Sequence, residues 1–278
     1  MLAPEQRGLL LAGATVPEHS PGLMAALSGG ELFLENGYLH CRQGDWLALV
    51  GYPLAEGPAP EPLPLALERA LERFRPGRLA IMAPELPEPL PGTLRERLSD
   101  RFIVLPLPAA VPAKARRNVA RAGGRLRVEQ SRAFTPEHGE LSQEFLARVR
   151  PHPRVVELCR RLPDFCSEPG ALLLNARDGL GRLAACLVLD TAPARFCTYV
   201  MGFRSRSRPC PGASDLLFAT LLELGQGMGK GFLHLGLEVN AGIARFKAKW
   251  GGVPGAAYEL AELSLRRPSL LAALGGLG

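Results

Sequence analysis

The stretch from Tyr199 to Pro254 constrains the fold of this 278-residue chain more than any other part of its sequence. A strand-like run leads into an arginine-rich loop and a helical segment, and a second strand and a second helix follow before Gly251 and Gly252. Strands that alternate with helices favour a mixed α/β sheet. The stretch therefore predicts a sheet whose strand ends open into loops and helix starts.

The loop between the first strand and the first helix of this stretch is typical of a phosphate site. Its arginines alternate with serines, Gly212 permits a close approach of a ligand, and Ser214 or Asp215 can cap the helix. Free N–H groups at a helix start and guanidinium groups both bind phosphate oxygens. The residues that we predict to bind a cofactor here are Arg204, Arg206, Arg208, Gly212, Ala213 and Ser214. The alternative is a solvated basic turn.

A glycine string further along, QGMGKG at residues 226–231, matches a pyrophosphate-binding pattern of acetyltransferases. That pattern works between a strand and the start of a helix, whereas here a helix precedes the string and a strand follows it. We therefore interpret the string as a helix C-terminus and a turn, with Gly229 or Gly231 as the C-cap.

The second helix of the stretch begins near Asn240, which can cap it or reach a ligand. Ile243, Phe246 and Trp250 fall on one helical face and are predicted to be core, whereas Lys247 is expected to project elsewhere.

The rest of the chain repeats the rhythm of hairpin, connector, helix and strand. A hairpin turns at Gly44 and Asp45, and the segment Leu65–Ala83 corresponds to Asp215–Leu237. Further predicted elements are helices at Leu65–Phe74, Thr93–Leu98, Pro136–Val149 and Val155–Leu162, and strands at Arg78–Ala83 and Phe102–Leu107.

Residues 113–128 contain six basic side chains and no acidic one. Lys114, Arg117 and Arg121 recur at helical spacing until Gly123 and Gly124 end the helix. This basic helix is either a solvated face or a surface for phosphates or an acidic partner.

Composition limits the remaining possibilities. The net charge of +6 permits an anionic ligand such as a nucleotide or tRNA without requiring one. The six cysteines form no C-x-x-C pair and histidine is scarce, so we expect no metal site. Such scattered cysteines suit a reducing compartment, so we expect a cytoplasmic protein without a membrane span.

These motifs together resemble the GNAT superfamily of acyltransferases, whose members close with strand and then N-x-x-A-x-x-L-Y-E-K-x-G-F. Counted from Asn240, Lys247 falls at the tyrosine and Gly251 at the glycine of that pattern. PGASDLLFATLLELGQGMGKGFLHLGL, GIARFKAKWGG and KARRNVARA resemble the double-GNAT branch, which includes the Fem-type aminoacyltransferases and the catalytic domain of phosphatidylglycerol lysyltransferase. The resemblance covers residues 112–254, and GDWLALVGYPL extends it into the N-terminal half.

The resemblance implies an α/β (α+β) fold of two GNAT-like halves, each a mixed central sheet flanked by helices. Residues 1–111 would be a degenerate half, and residues 112–278 the acyltransferase half, with 112–127 as a basic connecting helix. It also implies transfer of an acyl group from an acyl-CoA, most simply acetyl-CoA, to an amine or hydroxyl of a small-molecule or peptide acceptor. The alternatives are an aminoacyl-tRNA donor, with the basic helix as tRNA track, and a catalytically silent binding protein.

For catalysis the resemblance points to Glu238, Asn240 and Lys247. Glu238 ends the strand beside the expected acyl site and is preferred as general base to His234, which alternates with leucines. Lys247 replaces the tyrosine that often protonates the leaving group, and Tyr199 or Tyr258 could substitute for it.

Overall fold

A computed structural model of the protein describes residues 2–57 and 59–265. The helices in these ranges are α1 (Pro4–Gly13), α2 (Pro21–Ser28), α3 (Leu63–Phe74), α4 (Ala113–Gly123), α5 (Pro136–Val149), α6 (Pro153–Cys166), α7 (Ala213–Gly227) and α8 (Ala241–Lys249). The strands are β1 (Glu31–Glu35), β2 (Tyr38–Gln43), β3 (Trp46–Val50), β4 (Arg78–Ala83), β5 (Thr93–Pro106), β6 (Arg127–Ser131), β7 (Ala171–Arg177), β8 (Leu183–Asp190), β9 (Phe196–Arg204), β10 (Phe232–Leu237) and β11 (Val253–Ser264). A 3-10 turn over Pro17–His19 precedes α2.

The strands of the described residues form one sheet in the order β1-β2-β3-β4-β11-β5-β10-β9-β8-β7-β6. The pairs β3–β4 and β9–β10 are parallel and every other neighbouring pair is antiparallel. Each parallel pair is joined through a helix, α3 in the first case and α7 in the second. This agreement confirms the predicted mixed α/β architecture, and it matches the predicted correspondence of Leu65–Ala83 with Asp215–Leu237.

The two halves exchange a strand at the centre of the sheet. β5, which precedes α4 in sequence, pairs with β10 of the later half. β11, which comes last, pairs with β4 of the earlier half. The exchanged strands also pair with each other. A division of the chain at residue 111 remains a prediction, but the sheet continues across it.

Helices cover both faces of the sheet. On one face α1, α2, α5 and α6 pack on the strands, through buried side chains such as Leu10, Met24 and Leu162. On the other face lie α3, α4, α7 and α8, anchored by residues such as Leu67 and Leu217. Alternate residues of a strand point to opposite faces, so each central strand contributes to a core on both sides.

Several sequence predictions are confirmed by these bounds. The strand Arg78–Ala83 and the helix Pro136–Val149 have the predicted limits. The string QGMGKG is the end of α7 and a turn, as interpreted from sequence. The C-cap is Met228 rather than Gly229 or Gly231, and Gly229, at a φ of 68°, follows it in the left-handed conformation.

The helix predicted at Thr93–Leu98 is wrong, because these residues begin the long strand β5. Leu94 and Leu98 have a spacing that suits a helix, but they also fit the two-residue period of a strand. They lie opposite Leu263 and Leu260 of β11, a strand far away in sequence, so tertiary pairing decides the conformation.

Within the described ranges, none of the helices has both the length and the apolar character required to cross a bilayer.

Candidate active site

A cleft opens where the parallel strands β9 and β10 separate. The two strands pair at three positions, the last being Thr198 with His234, although β9 continues to Arg204. Gly236, at a φ of 73°, lies in the irregular part of β10 that follows, where β10 also shifts its register against β5. In contrast, β3 and β4 remain paired along the full length of β3. Ligands of open α/β sheets bind beyond the carboxyl ends of parallel strands, so the later half carries the open cleft.

The N-terminus of α7 faces this cleft. Its N-cap is Gly212, at a φ of 89°, where a Cβ atom would lie 2.5 Å from the carbonyl oxygen of Asn118 in α4. Ala213 is buried and donates its N–H to the Cys210 carbonyl. The N–H groups of Ser214 and Asp215 have no partner among the described residues. The predicted side-chain cap by Ser214 or Asp215 is therefore wrong, and the helix end is free to bind an anion.

Asp215 instead joins three helices. Its carboxylate accepts hydrogen bonds from Asn118 of α4 at 2.8 Å and from the indole of Trp250 after α8 at 3.3 Å. It also forms an ion pair with Lys249 of α8. The side chain thus points away from the helix start, where its charge would oppose an anion.

The arginine loop is held in place from α5. Glu144 accepts hydrogen bonds from the Arg206 N–H at 2.7 Å and from the Ser207 hydroxyl at 3.1 Å. The Ser205 hydroxyl lies 2.9 Å from that of Ser207 and accepts from the Arg208 N–H. These contacts use the loop's backbone and serines, which leaves the guanidinium groups available.

Three arginines, Arg148, Arg204 and Arg206, gather at the cleft without acidic partners, and Arg208 follows them in the loop. Arg204 and Arg206 are exposed, and no ion pair is formed by either, or by Arg148 and Arg208, in the described part of the chain. Burial lowers the pKa of Arg148, and the Arg206 and Arg204 charges lower it further. The Nε of Arg208 is buried without a hydrogen-bond partner. Such repulsion between neighbouring cations favours a bound anion.

Sequence reasoning missed Arg148. It lies in the last turn of α5, and nothing in its local sequence shows that α5 packs beside β9.

A cavity of about 130 Å³ connects the arginines with the free end of α7. Its lining includes Arg148, Arg204, Ser214, Tyr199 and Phe246. Burial raises the pKa of Tyr199 to about 12, so its phenol stays protonated at neutral pH and can donate a hydrogen bond. The cavity therefore combines cations, a helix N-terminus and a neutral donor.

The turn before α8 is fixed by two side chains. The side-chain Oδ1 of Asn240 accepts hydrogen bonds from the N–H groups of Gly242 and Ile243 at 3.0 Å each, so Asn240 caps the helix. The carboxylate of Asp100 accepts from the Glu238 N–H at 3.2 Å and the Val239 N–H at 3.1 Å. The role of Asn240 in binding a cofactor stays a prediction, and its side-chain oxygen is already engaged in the cap.

Val239 itself has a φ of 64°, a conformation that β-branched residues rarely adopt. Such strain is typical of functional turns held by their surroundings, here by Asp100.

Glu238 and Lys247 lie close together beside this turn. Glu238 is partly exposed, 3.9 Å from the Nε of Arg101. Lys247 is buried and donates from its Nζ to the Leu237 carbonyl, which corrects the expectation that it projects away from the core. Burial lowers the pKa of Lys247 to about 8, while Asp100 and Glu238 act in the opposite direction.

The other residues predicted on α8 behave differently from one another. Trp250 is buried as predicted, and Phe246 is part of the cavity lining, but Ile243 is 37% exposed, so its assignment to the core is wrong.

His234 of β10 is buried, and both burial and the charge of Lys247 lower its pKa to about 3. It therefore stays neutral, and its Nδ1 accepts from the Gly236 N–H at 3.3 Å. This is the structural role expected for it.

No protein family matches the chain by sequence, and no curated protein does. By structure it is similar to FemX, with a TM-score of 0.65 and 11% identity over 99% of this chain and 98% of FemX. It is similar to L-PGS from Bacillus licheniformis, with a TM-score of 0.59 and 14% identity over 98% and 95% of the two chains. A tandem GNAT protein from the clavulanic acid biosynthesis pathway matches with a TM-score of 0.53 and 15% identity over 94% of each chain.

This chain has the GNAT fold. The predicted resemblance to the double-GNAT branch is confirmed at the level of the fold, since these matches extend over both halves. At identities of 11–15% a shared GNAT fold does not specify an activity. The activity has to come from the residues of the cleft itself.

Proposed function

We propose that this GNAT-fold protein transfers an acyl or aminoacyl group from a phosphate-bearing donor to an amine or hydroxyl. One observation carries the proposal, namely the gathering of Arg148, Arg204 and Arg206 without counter-ions beside the free N-terminus of α7. Guanidinium groups and helix N–H groups together suit a phosphate or pyrophosphate. The donor's reactive end would then extend between β9 and β10.

The residues around the cleft suit direct transfer without a covalent enzyme intermediate. The acceptor attacks the donor carbonyl, with Glu238 as general base at the mouth of the cleft. Tyr199 and Lys247 are donors that can stabilise the developing oxyanion or protonate the leaving group. Lys247 suits proton transfer because its lowered pKa of about 8 lies near neutrality. Asn240 contributes by fixing the first turn of α8.

An acyl-CoA is the first candidate donor, because a pyrophosphate needs only a few guanidinium groups and the cavity beside them has a volume of about 130 Å³. A specific observation also supports aminoacyl-tRNA. The basic helix α4 packs on the start of α7 at Gly212, and Lys114, Arg117 and Arg121 are exposed on it. Basic surface therefore extends from the arginine loop along α4, as a polyanion would require.

A thermal-shift titration with CoA, acetyl-CoA, and charged and uncharged tRNA tests the proposal. A donor present at a hundred times its Kd should stabilise the protein by about 2.7 kcal/mol. Changing Arg148→Ala together with Arg204→Ala should weaken the binding of either donor at least tenfold. The matched control is Arg7→Ala, an exposed arginine on α1 that should leave donor binding unchanged.

The two donors are separated by a triple variant on α4, Lys114→Ala/Arg117→Ala/Arg121→Ala. If tRNA is the donor, the variant should weaken tRNA binding and reduce its dependence on salt, while CoA affinity stays the same. If CoA is the donor, the variant should bind it as the wild type does. A protein that no donor stabilises would contradict acyl transfer and favour the catalytically silent binding protein.

A further inference from the structure

The two sides of the donor cleft differ in charge. Arginines lie on the β9 side, whereas the residues beyond the β10 side include the carboxylate of Asp100. Leu237, the last residue of β10, pairs with Phe102 of β5, and Asp100 of β5 pairs with Tyr258 of β11. Tyr52, which follows β3, donates a hydrogen bond to the Ala257 carbonyl at 2.7 Å. These residues therefore form a row beyond the cleft, on the side opposite to the arginines.

Glu18, in the 3-10 turn before α2, faces this row. It is only partly accessible, and its Oε2 is fully buried without a hydrogen-bond partner. Val16, Tyr52 and Tyr258 pack in one buried cluster, and the Nε2 of His19 lies 3.1 Å from the Tyr52 carbonyl oxygen, so the 3-10 turn lies against both tyrosines. Burial raises the pKa of Tyr52 and Tyr258, and the Glu18 charge raises both further. Glu18 forms no ion pair in the described residues. A carboxylate oxygen buried without a partner is costly. Burial raises the pKa of Glu18 to about 7, against the opposing effect of a hydrogen bond from its own backbone N–H.

The nearby cation is already engaged. Arg154, at the start of α6, has a charge that acts to lower the pKa of Tyr258. It already forms ion pairs with Glu96 and Glu262, at 2.8 Å each. The Oε2 of Glu18 therefore has neither a hydrogen-bond donor nor a cation among the described residues. Its partner would be a proton or a cation from solution.

We propose that Glu18 binds the ammonium group of a primary-amine acceptor, with the rings of Tyr52 and Tyr258 beside it. A carboxylate next to aromatic faces is suited to a cation, because both attract positive charge and the rings exclude water. The site lies against the central strands β5 and β11, next to the β10 side of the donor cleft, and the inference rests on the proposed acyl transfer. It narrows the acceptor from an amine or hydroxyl to an amine.

Cadaverine, a small primary diamine, serves as the probe, and 1,5-pentanediol is its uncharged counterpart. At constant ionic strength, calorimetry should show saturable binding of cadaverine to the full chain and none of the diol. Glu18→Gln should weaken cadaverine binding at least tenfold. The control Glu223→Gln removes an exposed carboxylate on α7, on the other face of the sheet, and should leave cadaverine binding unchanged.

Donor binding separates the possible failures. Glu18→Gln should still bind the donor as the wild type does, which also shows that it folds. If that variant does not fold, Glu18→Asp keeps the charge on a shorter side chain and should weaken cadaverine binding alone. Equal cadaverine affinity in wild type and variant, or no saturable binding to the wild type, would overturn the acceptor site. Cadaverine binding without any donor binding would instead contradict the proposed acyl transfer.

Discussion

Tyr199 occupies its place in the cavity because residue 202 is a glycine. A Cβ atom at Gly202 would lie 2.3 Å from the Tyr199 hydroxyl and 2.8 Å from a methyl group of Leu187. The phenol thus lies directly over the backbone of its own strand, where other residues would collide with it. One missing side chain therefore sets the shape of the cavity.

We expect Gly202→Ala to destabilise the protein by about 1–3 kcal/mol, because the tyrosine or the strand must move. It should also weaken donor binding, since the displaced phenol changes the cavity. Urea unfolding and donor titration measure the two effects. Gly139→Ala is the control, because nothing lies within 4 Å of that position inside α5. The control should stabilise by about 0.5–1 kcal/mol, and a neutral Gly202→Ala would contradict the packing.

The buried Lys247 should make stability depend on alkaline pH. Its pKa is lowered from 10.5 to about 8 in the folded state, so the unfolded chain binds the additional proton between these values. Unfolding free energy should therefore rise with pH across this window, by up to about 1.4 kcal/mol per pH unit. Below pH 8 the contribution should be constant.

The measurement is urea unfolding of wild type and Lys247→Met from neutral pH to about pH 9.5, below the range in which tyrosines ionise in the unfolded chain. The difference between the two proteins should follow the predicted slope. Parallel pH curves would show that Lys247 titrates normally.

At the scale of the elements, Asp215 explains why three helices meet at the start of α7. Its hydrogen bonds and ion pair join α4, α7 and α8 behind the free helix end. The carboxylate is 8% exposed and the Lys249 side chain 26% exposed, so the pair is shielded from water. The donor cleft therefore depends on a contact that faces away from it.

Asp215→Asn should destabilise the protein by about 3 kcal/mol, because Lys249 loses its buried counter-charge. Adding Lys249→Met should recover part of the loss, with a coupling energy of about 1–2 kcal/mol between the two positions. A double-mutant cycle from denaturant unfolding measures this coupling. Additive effects would mean that the ion pair contributes nothing beyond the two side chains.

Local patterns predicted the elements whose neighbours are close in sequence. The hairpin that turns at Gly44 and Asp45, the helix Pro136–Val149 and the order of elements after Tyr199 follow from periodicity and turn residues. β5 was mistaken in part for a helix because its conformation comes from pairing with β11. In the candidate site, the loop arginines can be recognised by their spacing. Arg148 and Glu18 cannot be recognised from sequence. Only the packed sheet brings α5, which carries Arg148, to the cleft, and brings the 3-10 turn, which carries Glu18, to the tyrosines beside it.

At the scale of the whole molecule, the exchange of β5 and β11 makes each half incomplete without the other. A fragment of residues 1–111 lacks β11, which pairs with β4. A fragment of residues 112–265 lacks β5, which pairs with β10. Both fragments would expose backbone donors and acceptors along a central strand. Two halves that resemble each other in topology thus form one unit of stability.

We expect neither fragment alone to unfold cooperatively, whereas co-expression should restore a single transition. Circular dichroism melts of the separate and combined fragments measure this. A peptide of residues 253–264 should stabilise fragment 1–111 if it pairs with β4. A sharp melt of fragment 1–111 alone would show that the first half folds independently.

Because of the strand exchange, β4 cannot be fully paired until the last strand, β11, has been synthesised. β4 ends at Ala83, but the strand that covers its open side begins only at Val253. At cellular rates of translation, the ribosome needs on the order of ten seconds to make the chain between them. During that interval the nascent first half carries an unpaired edge, to which a chaperone or a second nascent chain can bind. The yield of folded protein in the cell should therefore depend on translation speed and chaperone supply. This dependence should be stronger than the stability of the complete folded chain alone would predict.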